Sequence, residues 1–374
     1  MDFVSLDFLS LLDQKILVFF LLAQKGIGRQ RARAILLELS KTQIKPKEIR
    51  KYLQPLLIKY KCKNIFDKSI SWNEIENFYY SNSEAFLARG VSVVYYREKA
   101  FPHSLRSIAD SPLLLFYKGS GGLFSQRGVA MVGTRKITPY GKLVTKKITA
   151  EVVADGFVTI SGCMYGVDEL VHRETMKYRG KTIAVLGYGF DYFYPSQAQA
   201  LQEAIIAAGG TVVTEYFPWI EPRPGFFLDR NRLIAGLSQA TIVLEAAEKS
   251  GSHRTAVSAA ENGRQVFAVP GPITNPYSEG TKWLINQGAL LITSGFEVAQ
   301  HLGVASSPVR SSNKNLFVEG DATNSVIQVL QSGPSTVEDL ACKTSLSLRE
   351  VLRTLGYMEL DGTLAKDGIL WYLK

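Results

Sequence analysis

The stretch GVAMVGTRKITPYG at 128–141 decides the fold. Gly128 to Val132 is a short run apolar on both faces, which describes a strand buried from above and below. Gly133-Thr134-Arg135 then turns the chain, and Thr138 stands where a hydroxyl can cap the helix that follows. Five more short apolar runs, at 157–160, 182–186, 211–214, 240–244 and 265–269, alternate with segments of helical length. Strands of this kind separated by helices make a parallel sheet covered on both sides. The handedness of the crossovers then specifies the α/β class: a doubly wound, Rossmann-like domain.

Upstream, residues 1–87 carry helical apolar spacing and few strand patterns. Leu12, Ile16, Phe19, Phe20 and Ala23 share one helical stripe, Lys25-Gly26-Ile27-Gly28 turns the chain, and Ala32, Ile35, Leu36 and Leu39 form a second stripe. Downstream, GVASSPVRSSNKNL at 303–316 is too small, polar and prolyl to bury a core, and reads as a linker. Helical spacing returns at 325–331, 336–343 and 348–359, and an Asp361-Gly362 turn leads into an alternating end at 369–373. Three short helices and a hairpin suggest a winged helix-turn-helix. The expected organisation is therefore a helical domain at 1–87, the Rossmann-like domain at 88–302, a linker at 303–320 and a winged helix at 321–374.

A chain of 374 residues exceeds one ordinary core, in keeping with several domains. With 46% hydrophobic and 21% charged residues, it is not a disordered protein. A net charge of +9 favours a polyanionic partner. Cys62, Cys163 and Cys342 are odd in number, far apart and outside any Cys/His spacing, so neither a disulfide framework nor a metal site is expected, and a reducing cytoplasm is the simplest location. The apolar run at 16–23 is too short to span a bilayer and follows acidic residues rather than a basic leader; it reads as a buried helix, with no membrane association.

Open α/β sheets bind ligands beyond the carboxyl ends of their strands. The turns there are rich in glycine, hydroxyl and guanidinium groups: Gly133-Thr134-Arg135, Ser161-Gly162, Gly187 to Asp191, Phe226 to Arg232, and Ser250 to Thr255. Free amides at helix starts and fixed guanidinium forks favour an anion. The dinucleotide fingerprint and the Walker A loop are both missing, so no cofactor is expected. The histidines His103, His172, His253 and His301 form no catalytic or metal-binding set, there is no nucleophile elbow, and no catalytic residue is expected. Arg230, Asn231 and Arg232 beside Phe226 and Phe227 combine phosphate neutralisation with base stacking, the pairing that single strands require.

These residues resemble the DNA-processing protein A (DprA/Smf) family. The lead-in from Phe101-Pro102 through Ser111-Pro112 to Lys118-Gly119 is similar, and VGTRKITPYG, SGCMYGVDELVH, TIAVLGYGFDYFYP, TEYFP, RNRLIAGLS, EAAEKSGSHRTA, ENGRQVFAVPGP and LINQGALL follow in family order over about 100–293. The resemblance implies a non-enzymatic, sequence-nonspecific single-stranded-DNA-binding protein of natural transformation and recombination. It would protect incoming strands, help load a RecA-type recombinase and form a homodimer through the Rossmann-like domain. On matching positions its DNA-binding pocket would comprise Gly133, Thr134, Arg135, Ser161, Gly162, Phe227, Arg230, Asn231 and Arg232, with Ser250 and Gly251 beside them. Met164 and Tyr165 replace the family's usual Ala and Arg, Gly280-Thr281-Lys282 departs from its G-x-N, and His253-Arg254 stands where apolar residues are common. The Gly26-Ile27-Gly28 turn resembles a helix-hairpin-helix (SAM-like) unit, with Arg29, Arg31 and Arg33 nearby. The alternative from another class is an enzyme, a nucleoside-monophosphate phosphoribohydrolase on a related fold, although that family's P-G-G-x-G-T-x-x-E loop is missing.

Overall fold

The sheet expected around 128–141 forms the centre of the computed structural model, which describes residues 6, 9–41, 45–60, 71–304, 321–360 and 362–373. Four helices come first: α1 (Leu11–Ala23), α2 (Arg29–Ser40), α3 (Ile49–Lys59) and α4 (Trp72–Ala88). Next are β1 (Ser92–Tyr95), α5 (His103–Arg106), β2 (Leu114–Gly119), β3 (Gly128–Val132), α6 (Pro139–Ala154), β4 (Val158–Ser161), α7 (Val167–Lys177), β5 (Thr182–Val185) and α8 (Ala198–Ala207). The series continues with β6 (Thr211–Thr214), α9 (Pro224–Leu237), β7 (Ala240–Val243), α10 (Ser252–Glu261), β8 (Gln265–Ala268), α11 (Glu279–Asn286), β9 (Leu290–Leu291) and α12 (Phe296–His301).

The described strands of this region pair in the order β1-β2-β6-β5-β4-β3-β7-β8-β9. From β6 to β9 all neighbours are parallel; Ala130 of β3 lies opposite Ile160 of β4 on one side and Thr241 of β7 on the other. The chain winds outward from β3 through β4, β5 and β6, then returns to the far side of β3 as β7. The switch point therefore lies between β3 and β7. The six apolar runs correspond to β3 through β8 to within a residue. Three further strands extend the edges: β2 pairs antiparallel with β6, β1 antiparallel with β2, and β9 is a two-residue strand beside β8. Their pattern is weak because each is only partly buried or very short.

Both faces of the sheet are covered. Val129 and Met131 pack with α6, α7 and α12, whereas Ala130 and Val132 pack with α9 and α10. Over β2, β5 and β6 the first face is covered by α8 and by the amino-terminal helices. The apolar run at 16–23 is the body of α1, with Ile16 to Leu21 buried. Phe19 meets the rings of Tyr79 of α4 and Phe217 beyond β6 at 5.1 and 4.9 Å. The change at 87/88 is thus one of secondary structure; the helices and the sheet share one core within a compact unit spanning Met1–Ser307. Among the described residues no helix is long and apolar enough to cross a membrane.

The second compact unit, Pro308–Lys374, contains α13 (Asp321–Leu330), α14 (Val337–Thr344), α15 (Leu348–Leu360) and the antiparallel pair β10 (Leu364–Asp367) and β11 (Leu370–Leu373). It has its own core, in which Val326, Leu340, Val351, Leu355, Leu364 and Trp371 meet. From residue 305 onward the expected linker lies outside the described residues, as do Asp361 and Cys62; Gly303 and Val304 close α12. The two described cysteines, Cys163 and Cys342, are free thiols.

Candidate nucleic-acid interface

Beyond the carboxyl ends of β3 and β7 the turns are tied to one another. The Thr134 amide donates to the Glu245 carbonyl at 2.7 Å, and the Val167 amide donates to the Thr134 carbonyl at 3.2 Å. Thr138 caps α6 as expected, accepting from the Gly141 amide at 3.0 Å, and its own amide donates to the buried Glu245 carboxylate at 2.9 Å. Thr134 is itself buried, its hydroxyl accepting from the Lys136 amide. Gly133 and Thr134 therefore shape the turn, and Arg135 is the group it presents. Arg135 is exposed and sits over the Phe227 ring at 6.0 Å.

The turn after β4 is packed against the same place. Ser161 donates to the Met131 carbonyl at 2.7 Å. Gly162 must be glycine: a Cβ there would lie 2.2 Å from Arg230 Nη1 and 2.5 Å from Asp168 Oδ2. Gly166 has φ +79° and would drive a Cβ to 2.4 Å from the Thr134 carbonyl oxygen. Burial pushes the Cys163 thiol up to about 12, so it carries no thiolate at neutral pH. Met164 is buried and Tyr165 exposed.

Helix α9 supplies the third wall. Phe227, Arg230, Asn231 and Ile234 recur at helical spacing and line a cleft of about 410 Å³ with Arg135, Asp168, Lys249, Ser250 and Gly251. Arg230 is 2% exposed, and its Nη1 donates to the Val185 carbonyl at the end of β5, 2.5 Å away. Its Nε has no hydrogen-bond partner among the described residues. Burial lowers the Arg230 pKa and raises that of Asp168, each resisting through the other's charge. The guanidinium nonetheless stays charged at neutral pH. Asn231 donates to the Gly251 carbonyl at 3.2 Å, and Ser250 shares a hydrogen bond with Ser252 at 2.8 Å. Phe227 is 9% exposed and packs on Tyr194 at 5.3 Å, so it is more wall than open platform.

One expectation needs correction. Arg232 does not reach the cleft: two residues from Arg230 it points to the opposite side of α9, where it pairs with Asp110 at 3.1 Å and Glu215 at 2.7 Å. Of the arginines near the Gly26-Ile27-Gly28 turn, Arg29 and Arg33 are engaged inward and Arg31 is exposed. Arg29 pairs with Asp110 and Asp229, Arg31 bonds the Gly26 carbonyl, and Arg33 bonds the Ser111 carbonyl. Lys249, absent from the expected set, stands exposed at the rim and pairs with no described carboxylate; its signal was the basic residue just before Ser250-Gly251. His172 is a packing residue as read: fully buried, bonded through Nδ1 to Thr182 at 2.7 Å, and pushed down by burial to about 3. Among the described residues no three His, Cys, Asp or Glu side chains group to hold a metal.

Residues 92–303 match the family model described as DNA recombination-mediator protein A. The DNA processing protein DprA of Bacillus subtilis is 39% identical over 234 residues, 62% of this chain and 78% of that protein. The crystal structure of DNA processing protein A from Streptococcus pneumoniae superposes with a TM-score of 0.62 at 32% identity, covering 76% of this chain and 97% of that one. A Helicobacter pylori DNA processing protein A, characterised for its single-stranded DNA binding mode, gives a TM-score of 0.51 at 29% identity over 57% of this chain and 95% of its own.

Proposed function

The chain belongs to the DNA recombination-mediator protein A family, and on that premise we propose that it binds single-stranded DNA without sequence preference in the cleft between β3 and β7. One observation carries the reading: two guanidiniums at different depths, Arg135 exposed over an aromatic ring and Arg230 buried at the floor, converge on a switch-point cleft with Lys249 at its rim. Phosphate would meet Arg135, Lys249 and the turn amides of Gly133 and Gly251. The walls set by Thr134, Phe227 and Asn231, with the buried Ser161 and Gly162 packed behind the cleft rather than lining it, would exclude duplex, which is too wide and stiff to enter. The role extends to protecting incoming strands in transformation and recombination and to helping load a RecA-type recombinase, as the family's description as a recombination mediator supports. The reading is that of a binding protein, in line with the family's description as a recombination mediator.

Self-association through the Rossmann-like unit is supported by β9, the last strand of the sheet among the described residues, where Leu291 is 49% exposed. The α1–turn–α2 unit fits a helix-hairpin-helix: Gly26 has φ +90°, Ile27 is buried, and Gly28 precedes α2 as a cap residue that offers no side-chain bond. The 321–374 unit fits a winged helix whose third helix meets protein rather than DNA, because α15 exposes Leu348, Leu352 and Tyr357 and mixes Arg349 and Arg353 with Glu350.

Replacing Arg135 by Ala tests the cleft. Affinity for every single-stranded sequence should fall alike, and the slope of log affinity against log salt should flatten by about 0.7 for each phosphate no longer neutralised. Wild-type affinity and slope in that variant would refute the assignment, as would adenine released from AMP by the purified protein.

A further inference from the structure

The first turn of α9 faces two ways. Phe227 looks into the switch-point cleft with Arg135 over its ring. Phe226, about 100° around the helix, looks the other way with Arg223 over its ring at 5.8 Å. There a second cavity, of about 760 Å³, opens between the Gly26–Gly28 turn and the carboxyl end of β6. Phe226 stacks on Tyr216 with centroids 4.5 Å apart and 27° between the planes, giving the cavity a flat aromatic wall.

Two of its polar side chains carry buried atoms without a partner among the described residues. The Glu215 side chain is 8% exposed; Oε2 receives Arg232, while the buried Oε1 has no partner among the described residues. The Tyr216 hydroxyl is likewise buried and unpartnered among them. Buried polar atoms are nearly always satisfied, and this pair calls for a ligand that is flat, apolar on its faces and able to donate N–H groups from its edge. A phosphate is unsuited to that floor, because the carboxylate repels it. Exposed cations line it as well: Lys25 and Arg223 pair with no described carboxylate, whereas of the exposed carboxylates Glu221 and Asp229 the latter is taken by Arg29. An edge of N–H donors, stackable faces and an attached anion describe a nucleotide.

We propose that this cavity is a second base-binding subsite for the strand held at the switch point, in which a nucleobase packs against the Phe226–Tyr216 pair, turns its N–H edge towards Glu215 and leaves its phosphate near Lys25 and Arg223. Phe226 and Phe227 are adjacent in the first turn of α9, so a strand longer than the cleft alone holds reaches both sites. The proposal rests on the single-stranded DNA reading given above but makes a separate prediction about length.

Fluorescence anisotropy on the full chain, with oligothymidylates of about 6 and about 20 nucleotides, decides it. Phe226→Ala and Arg223→Ala should each weaken binding of the longer strand by about fivefold or more, the low end for a lost stack, and leave the shorter within about twofold. Arg135→Ala should weaken both. If both reverse-face variants bind the longer strand like wild type, the subsite does not exist and the cavity serves a polypeptide or nothing; the cleft assignment then stands on Arg135 alone. If Arg135→Ala is silent while the other two are impaired, the cleft assignment fails and this one survives. A thermal melt accompanies each variant, and should Phe226→Ala unfold, the exposed Arg223 decides.

Discussion

His172 shows how burial alone fixes a residue's role. It lies one turn into α7, fully enclosed, with Nδ1 bonded to Thr182 in a chain that continues to Thr159 and Thr175. Its pKa is pushed down to about 3, from an ordinary 6.5, because the imidazolium would lose its water with no anion to replace it. Between those values the unfolded chain binds a proton that the folded chain does not, so stability rises with pH and is lost as pH falls from 6.5 towards 3. In that window the wild type should lose about 1.4 kcal/mol per pH unit more than a His172→Asn variant. Denaturant melts at pH 7, 5 and 4 measure it; parallel profiles for the two proteins would show that the imidazole is already satisfied in both charge states. Gly162 and Gly166 make the complementary point, since their necessity comes from atoms the local sequence does not contain: Arg230 and Asp168 for one, the Thr134 carbonyl for the other.

At the scale of the element, α9 divides its functions by face. Phe227, Arg230 and Asn231 line the cleft, and Phe226, Asp229 and Arg232 turn to the reverse side. Sequence reading placed Arg230 and Arg232 together because they are neighbours in the chain; the 3.6-residue period separates them. Removing Arg232 takes the cation from a carboxylate, Glu215, that is almost fully buried, and should cost about 3 kcal/mol of stability. It should not change the salt slope of DNA binding, unlike removal of Arg135. An Arg232→Ala protein with a normal melting temperature and a flattened slope would mean that this arginine faces the strand after all. The turn before α2 teaches the same lesson: three arginines near a glycine turn look like a phosphate grip, yet Arg29 and Arg33 are occupied by Asp110 and its neighbour's carbonyl.

For the whole molecule, the distribution of cores predicts what can be removed. The carboxy-terminal unit encloses Val326, Leu355 and Trp371 in a core of its own, whereas α1 to α4 share theirs with β2, β5 and β6. A chain ending at residue 304 should therefore unfold cooperatively and bind single strands within about twofold of the full protein. A chain starting at residue 89 should not fold, because Leu114, Phe116 and Phe217 lose the cover of Phe19, Tyr79 and Phe86. Circular dichroism and a melt on each truncation check this; a well-folded 89–374 protein would show that the two halves of that core are independent.

Alternation of apolar runs with helical segments was enough to determine the six central strands, the doubly wound order and the set of turns that gather at one sheet edge. Those features repeat over short distances, and the local period of the side chains records them. Tertiary structure alone decided the rest: that β1, β2 and β9 extend the sheet, that Arg135 reaches solvent while Arg232 is sequestered, and that Phe226 and Phe227 serve different cavities. Each of these depends on which distant partner, Asp110, Glu215, Tyr216 or the end of β6, arrives beside the residue, and no window of adjacent positions contains that information.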